Sequence, residues 1–413
     1  MKKQSDKTFK YYFRKYRIAY LFIAPTLLGM ILMHLVPIVQ GIYMSFLKLD
    51  NFTLSQYLGA PFVMFKNYYE VILNADSPMR IGIIESIRNT IIYTVFVTVG
   101  QIGLGMIVAL MLHQDFKGRS FARTLFMFSW IVPTYVTGIL WGFMWQQSIG
   151  IINIIFYDFF KIHIICQKIN IIIHLLKFDA IIGLFNDFVV WDNQIMFTII
   201  NSKSMILKLI SLLIVSFIVV KLFEYLNKRI SKRLSYLFLV VFLFVEFMAL
   251  INVQIPTLIP TTYKPFWLVG PNTIWAIIIP TIWRFWPLSM LMLLAGLQSI
   301  STELYDAVKI DGANRWQAFW SVTWPMLRPV WMILILFGLI YNVYSFNIVI
   351  MMFGNGAGFP GEWGDLMMTN IFRNSFMRWD FGTGAATSVL LLMVMIVAVN
   401  IWFRFYKKSE EVF

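Results

Sequence analysis

Charge is scarce in this chain. Only 13% of its 413 residues are Asp, Glu, Lys or Arg, against about 25% in an average soluble domain. So few ionised groups cannot cover the surface of a large soluble α/β protein. Apolar runs of roughly 20 residues, long enough to cross a bilayer, exclude that class further. Cysteine is almost missing: Cys166 stands alone, so no intrachain disulfide can form. The four histidines (His34, His113, His163 and His174) are scattered. His163 and His174 lie eleven residues apart with no third ligand between or beside them, so they read as ordinary loop residues and no metal is expected. The sequence has no Gly-x-x-x-x-Gly-Lys-Ser/Thr phosphate loop, so the chain is expected to hydrolyse nothing itself. Clustered intramembrane His, Asp or Glu, which a membrane-embedded glycosyl or acyl transferase would need, is also lacking.

What is present is apolar. Hydrophobic residues make up 59% of the chain and the mean hydropathy is +0.74. Eight candidate spans follow, at about 18–46, 88–112, 121–147, 205–222, 235–254, 272–297, 328–353 and 384–405. The net charge of +14 could suit nucleic acid, but the Lys and Arg flank apolar spans and so report orientation. Residues 1–17 carry seven of them. The apolar segment that follows runs on past Pro37, so it reads as a retained first span and not a cleaved signal peptide. Lys117, Arg119 and Arg123, then Lys228, Arg229, Lys232 and Arg233, then Arg404, Lys407 and Lys408 all fall on one side if there are eight spans. The expectation is an all-α polytopic protein with both termini cytoplasmic and no strands.

Composition changes between 158 and 263. This stretch is rich in Ile, Asn, Lys and Phe and poor in Gly. It reads as an insertion, an outward segment followed by one helical hairpin, placed in a six-span core. The expected organisation is a basic terminus (1–17), three spans (18–157), the insertion (158–263), the remaining core (264–406) and a short tail (407–413).

Between two spans lies a polar loop, Glu303–Pro325, that the same orientation puts in the cytoplasm. Ser301 or Thr302 can cap a first short helix, with Glu303 in its first turn, where an acid complements the dipole. Gly312 can end that helix in a left-handed conformation. A second helix begins at Ala313, places Trp316, Phe319 and Trp320 on one face, and closes at Pro325. An exposed aromatic helix suits either a groove on a partner protein or the membrane interface, and the residues alone leave both open.

The spacing of this loop resembles the coupling motif of ABC-importer permeases: Glu-Ala-Ala, three residues, Gly, nine residues, Ile, any residue, Leu-Pro. Here it reads Asp306-Ala307-Val308, then Gly312, then Val322-Thr323-Trp324-Pro325. Glu303-Leu304-Tyr305 and Asp311-Gly312-Ala313 are similar to the carbohydrate branch. So are Asn89-Thr90 at the opening of the second span, Phe116-Lys117-Gly118-Arg119, Gly150-Ile151-Ile152-Asn153 and Gly382–Ser388. The resemblance, nearest to the larger permease of maltose-type importers, covers all but the insertion. It implies a bacterial cytoplasmic-membrane subunit forming half of an oligosaccharide pathway. A second permease would form the other half, two ATPase copies would bind ATP and Mg, and an extracytoplasmic sugar-binding protein would deliver substrate. Glu303, Asp306, Ala307, Asp311, Gly312, Ala313, Phe319 and Pro325 would couple to the ATPase. This chain would need no cofactor. A permease for another small solute, such as glycerol phosphate or a short peptide, is the alternative.

Sugar sites stack rings on aromatic faces and hydrogen-bond hydroxyls. Thr281, Arg284, Phe285 and Leu288 share one helical face, and Arg284 is an ionisable group inside a span. Asn342 and Phe346 lie one turn apart in the next span, and Trp130 precedes Pro133 in the third. The resemblance implies that all of these line the pathway. Two other readings remain: Asn342 as a bond between helices, and Arg284 as the partner of a carboxylate or a helix end. The outward loop Phe353–Phe381 is rich in glycine and aromatics, and the family's Gly-Gly-Pro is replaced by Gly354-Asn355-Gly356 and a later Pro360.

Overall fold

The computed structural model describes residues 15–74, 76–175, 187, 264–354 and 359–410. The expected spans at 205–222 and 235–254, Gly356 and Gly358, and the side chains of His163 and His174 lie outside the described residues.

Every regular element among the described residues is helical, apart from one isolated bridge between Leu47 and Phe62. In chain order they are α1 (Arg17–Met44), α2 (Lys66–Ile72), α3 (Pro78–His113), α4 (Arg119–Ile131), α5 (Thr134–Met144), α6 (Ile162–Leu175), α7 (Thr273–Gln298), α8 (Thr302–Ile310), α9 (Arg315–Ala318), α10 (Arg328–Val343), α11 (Asn347–Gly354), α12 (Met367–Phe372) and α13 (Phe381–Glu410). Among the described residues five helical stretches are long and apolar enough to span a membrane, and six if the bent α4–α5 pair is one span. The protein is thus a polytopic helical membrane protein, as its composition requires.

The chain forms two compact units, one of residues 1–81 with 371–413 and one of residues 82–370. In the first, α1 buries none of its side chains, a composition suited to lipid on every side. After α1 the chain turns back on itself. The Asn67 amide donates to the carbonyls of Ser45 and Leu47, both at 2.8 Å, and the Phe381 N–H donates to Leu49. The start of α13 therefore lies against this turn. Gly382 sits where a Cβ would meet the Leu47 carbonyl oxygen at 2.6 Å, which explains the glycine at the head of the Gly382–Ser388 segment.

The second unit is a bundle with two apolar clusters. One gathers Tyr93, Val97, Trp145, Ile277, Ile348 and Phe353. The other gathers Ala109, Trp286, Met290, Leu293, Leu297 and Leu327. Lipid gives helices little hydrophobic reason to associate, so close backbone approach carries the packing. Gly138 and Gly142, one turn apart on α5, let α11 come so near that a Cβ at Gly138 would stand 2.7 Å from the Ile348 oxygen.

Three boundaries differ from the sequence expectation. The second span starts at Pro78, so Asn89 and Thr90 sit well inside α3 instead of opening it. The third span breaks between α4 and α5 with a bend of 88°. Pro133 is the cause: the residue before a proline is driven out of the helical region, and Val132 has ψ 127°. The span over 328–353 breaks after Val343, and α11 begins at Asn347.

The edges of the expected insertion meet. Asp158 and Lys264 form an ion pair at 2.9 Å. Next to it the Asn153 amide donates to the carbonyls of Gln147 and Pro265, its oxygen accepts from the Trp267 indole at 2.8 Å, and Gln147 donates to the Lys264 carbonyl. The fully buried Asn153 of the Gly150–Asn153 segment is therefore the knot that joins the third span to the chain's return.

Candidate functional site: a two-helix loop and the middle of α7

The loop after α7 folds as its sequence asks. Ser301 caps α8 by accepting from the Glu303 N–H. At the other end, Gly312 has φ 76°, the Ala313 N–H reaches the Val308 carbonyl and the Gly312 N–H the Lys309 carbonyl. Those two bonds are the Schellman termination that glycine permits. Asn314 then opens α9 with a reciprocal capping box to Gln317. Two expectations need correction. The second helix starts at Arg315, not Ala313. Pro325 does not close it: the helix runs on through a wide five-residue turn, Phe319–Thr323, and a further turn, Trp324–Met326, that carries the proline.

The two short helices form one body. The Tyr305 and Thr323 hydroxyls are 3.0 Å apart, and Tyr305, Val308 and Phe319 pack onto the lower apolar cluster. Outward, Trp316 is 68% and Trp320 47% exposed. Glu303, Asp306, Ala307, Asp311 and Gly312 are also exposed, and Ala313 is half-buried. Asp306 and Lys309 form a surface pair at 3.2 Å, which adds little to stability. The aromatic rings touch in series: Trp316 to Trp320, Trp320 to Trp324 and Trp324 to Trp331 on α10, each with centroids between 5.4 and 5.6 Å apart.

The α7 face is less open than its sequence suggests. Thr281 is buried; its hydroxyl donates to the Ile277 carbonyl and accepts from Tyr93 at 3.0 Å, and the Tyr93 hydroxyl is 2.8 Å from Ser345. Asn342 is buried too and donates to the Thr98 hydroxyl at 3.0 Å. These are bonds between helices. The break before Asn347 also takes Phe346 off the helix that carries Asn342, so the two do not share a helical face. Sequence reasoning overlooked Tyr93, which joins α3, α7 and Ser345; its single signal was a phenol inside an otherwise apolar span.

Arg284, Phe285, Leu288 and Trp130 remain partly exposed. Nη1 of Arg284 donates to the carbonyls of Trp130 and Val132. Pro133 leaves those carbonyls without helical partners, so the guanidinium caps a broken span. Its carbon also lies 5.3 Å from the Phe285 ring centre. Trp130 thus meets Arg284 through its backbone, while its indole is 39% exposed.

The loop that precedes α12 is held from inside α3. The Asn89 amide donates to the carbonyls of Glu362 and Asp365, and the Thr90 hydroxyl accepts from the Met367 N–H. That is the structural task of the Asn-Thr pair. Asp365 is buried and accepts from Thr369 at 2.6 Å.

Comparison with known proteins agrees with this architecture. Residues 227–410 match the binding-protein-dependent transport system inner membrane component family, a match that begins inside the 158–263 stretch. The inner membrane ABC transporter permease protein YcjO of Escherichia coli K12 is 22% identical over 92% of this chain and 91% of its own length. The sn-glycerol-3-phosphate permease UgpA of Agrobacterium fabrum is 21% identical, with 95% of each covered. The probable starch degradation products permease AmyD of Thermoanaerobacterium thermosulfurigenes is 24% identical over 95% of this chain and 94% of its own. A solved bacterial ABC transporter involved in import of the acidic polysaccharide alginate shares the fold, with a TM-score of 0.58 at 15% identity over 96% of this chain and 97% of that one. The chain is thus a multi-pass helical membrane protein that is similar over residues 227–410 to the binding-protein-dependent transport family and along nearly its whole length to inner-membrane ABC permeases.

Proposed function

We propose that this chain forms half of the translocation pathway of an oligosaccharide importer. A second permease subunit supplies the other half, two copies of an ATPase bind the loop side, and an extracytoplasmic sugar-binding protein delivers the substrate. Both termini and the 301–326 loop lie in the cytoplasm. ATP and Mg2+ are held by the ATPase, and this chain's residues carry motion, not hydrolysis.

The observation that carries the reading is the loop. At the family's spacing, a Schellman turn at Gly312 joins two packed helices whose exposed edge presents Glu303, Asp306, Asp311 and Trp316. Such a body suits a cleft on a partner and can move as a unit when that partner closes. Ala307, Ala313, Phe319 and Pro325 shape and brace it. The names of the relatives support a carbohydrate substrate, and the alginate importer was solved with a pentasaccharide-bound periplasmic protein. In the pathway, Arg284, Phe285, Leu288 and Trp130 offer a cation and aromatic platforms. Thr281 and Asn342 set the positions of the helices that carry them, and Phe346 stands in the break between α10 and α11. Glycerol phosphate is a second reading, favoured by the similarity to glycerol-3-phosphate permeases.

Affinity purification of the chain from its own cells tests the assembly: an ATPase and a second permease should co-purify. A chain that purifies alone and transports by itself would sink the proposal. Competition of labelled oligosaccharide uptake by glycerol phosphate separates the two substrate readings.

A further inference from the structure

The middle of the 26-residue α7 holds one charge, Arg284. Residues 88–112, 119–144, 273–298 and 328–354 contain no Asp or Glu, so these helical segments offer it no counter-ion; Glu85 of α3 lies outside them. Its contacts satisfy hydrogen bonds without cancelling the charge. Nη1 meets two carbonyls at the end of α4, and a helix terminus carries only about half an elementary charge. Nε is buried without a partner. Nη2 has no hydrogen bond among the described residues and is not sequestered as Nε is. A cation held at this depth, with one nitrogen fixed and another left open, is costly unless it faces water or an anion.

We infer that the substrate is an anionic sugar, and that Arg284 reads its charge through the open Nη2 beside the Phe285 ring. This rests on the oligosaccharide reading and narrows it to sugars bearing a carboxylate or a comparable anionic substituent. The two carbonyls act as an anvil: they fix the guanidinium so that little rotamer freedom is lost when the substrate arrives. A neutral sugar would leave the charge in place uncompensated, whereas a carboxylate both neutralises it and gains a charge-assisted bond.

The test uses the complete importer, with its second permease, ATPase and binding protein, in proteoliposomes. Two matched probes are compared: a hexuronate trisaccharide and its carboxyl-reduced neutral counterpart. The uronate should be imported and should stimulate ATP hydrolysis, with the neutral probe weaker by about tenfold or more, as expected for loss of a charged hydrogen bond. Arg284→Gln should erase that preference, and Arg284→Lys should keep most of it. Import of the neutral probe as well as or better than the uronate overturns the charge inference and leaves the sugar reading intact. An unchanged preference in Arg284→Gln also overturns it, because the cation then serves the α4 break or a carboxylate of the second permease. If neither probe is imported or stimulates hydrolysis, both readings fail. Co-purification of the subunits with each variant shows that the complex still assembles.

Discussion

The 301–326 loop and the middle of α7 both carry polar side chains among aromatic ones, and they use them in opposite ways. In the loop, Asp306 and Trp316 stand exposed, Asp306 pairing only with the exposed Lys309, while Ser301, Asn314 and Gln317 satisfy backbone at the helix ends and Tyr305 meets Thr323 underneath. In α7, Thr281 turns inward, as Asn342 does on α10, and each bonds a hydroxyl on α3. The difference follows from the solvent. Water competes for a polar group on a loop, so the group stays available to a partner. In a bilayer the nearest partner is another helix, so a neutral polar group is taken up by packing. Arg284 escapes because its charge cannot be absorbed by one neighbouring hydroxyl.

The largest test of this contrast is Asp306→Lys. It leaves every interior bond in place and removes one surface pair, so the chain should still reach the membrane, while uptake falls roughly tenfold or more, the order of a coupling free energy. Normal uptake by that variant would mean that the exposed edge docks nothing. Next is Tyr93→Phe, which takes a hydroxyl from between Thr281 and Ser345. A loss of about 1–2 kcal/mol in the unfolding of the purified complex is expected, with the KM for substrate unchanged. A raised KM at full stability would put this layer back in the pathway. Asn314→Ala removes the cap of α9 and should weaken coupling modestly, with a stability loss of about 1 kcal/mol, read from hydrogen exchange of the loop. The smallest effect is expected for Asn342→Leu, about 0.6 kcal/mol for one interhelical bond. Its uptake kinetics should match the parent, and a lowered kcat would contradict a purely structural amide.

What the sequence displayed depended on whether the controlling interaction was local. Ser301 and Gly312 act on nearby backbone, so the two-helix loop was legible in the sequence, whereas the equally local Asn314 cap was overlooked and the second helix was started at Ala313. The break at Pro133 has an equally local cause, but the apolar run on both sides of it made the third span read as continuous. The break between Val343 and Asn347 was not legible, since no glycine or proline marks it and the Tyr93–Ser345 contact at that point is 252 residues apart in sequence. The inward turn of Thr281 and Asn342 was hidden for the same reason: helical periodicity assigns residues to a face, but the neighbour of that face is set by distant chain. Arg284 stood out at once as a charge in a span, whereas its carbonyl partners required the fold.

The ion pair between Asp158 and Lys264 has a topological consequence. It brings both edges of a long stretch to one point on the bundle, so the chain's return is fixed by side chains at the end of the third span. The entropy of closing such a loop grows only logarithmically, by about 0.6 kcal/mol for each doubling of its length. Bringing the two edges together therefore costs little more than closing a far shorter connection, and a few local bonds at Asp158, Asn153 and Trp267 are enough to hold them.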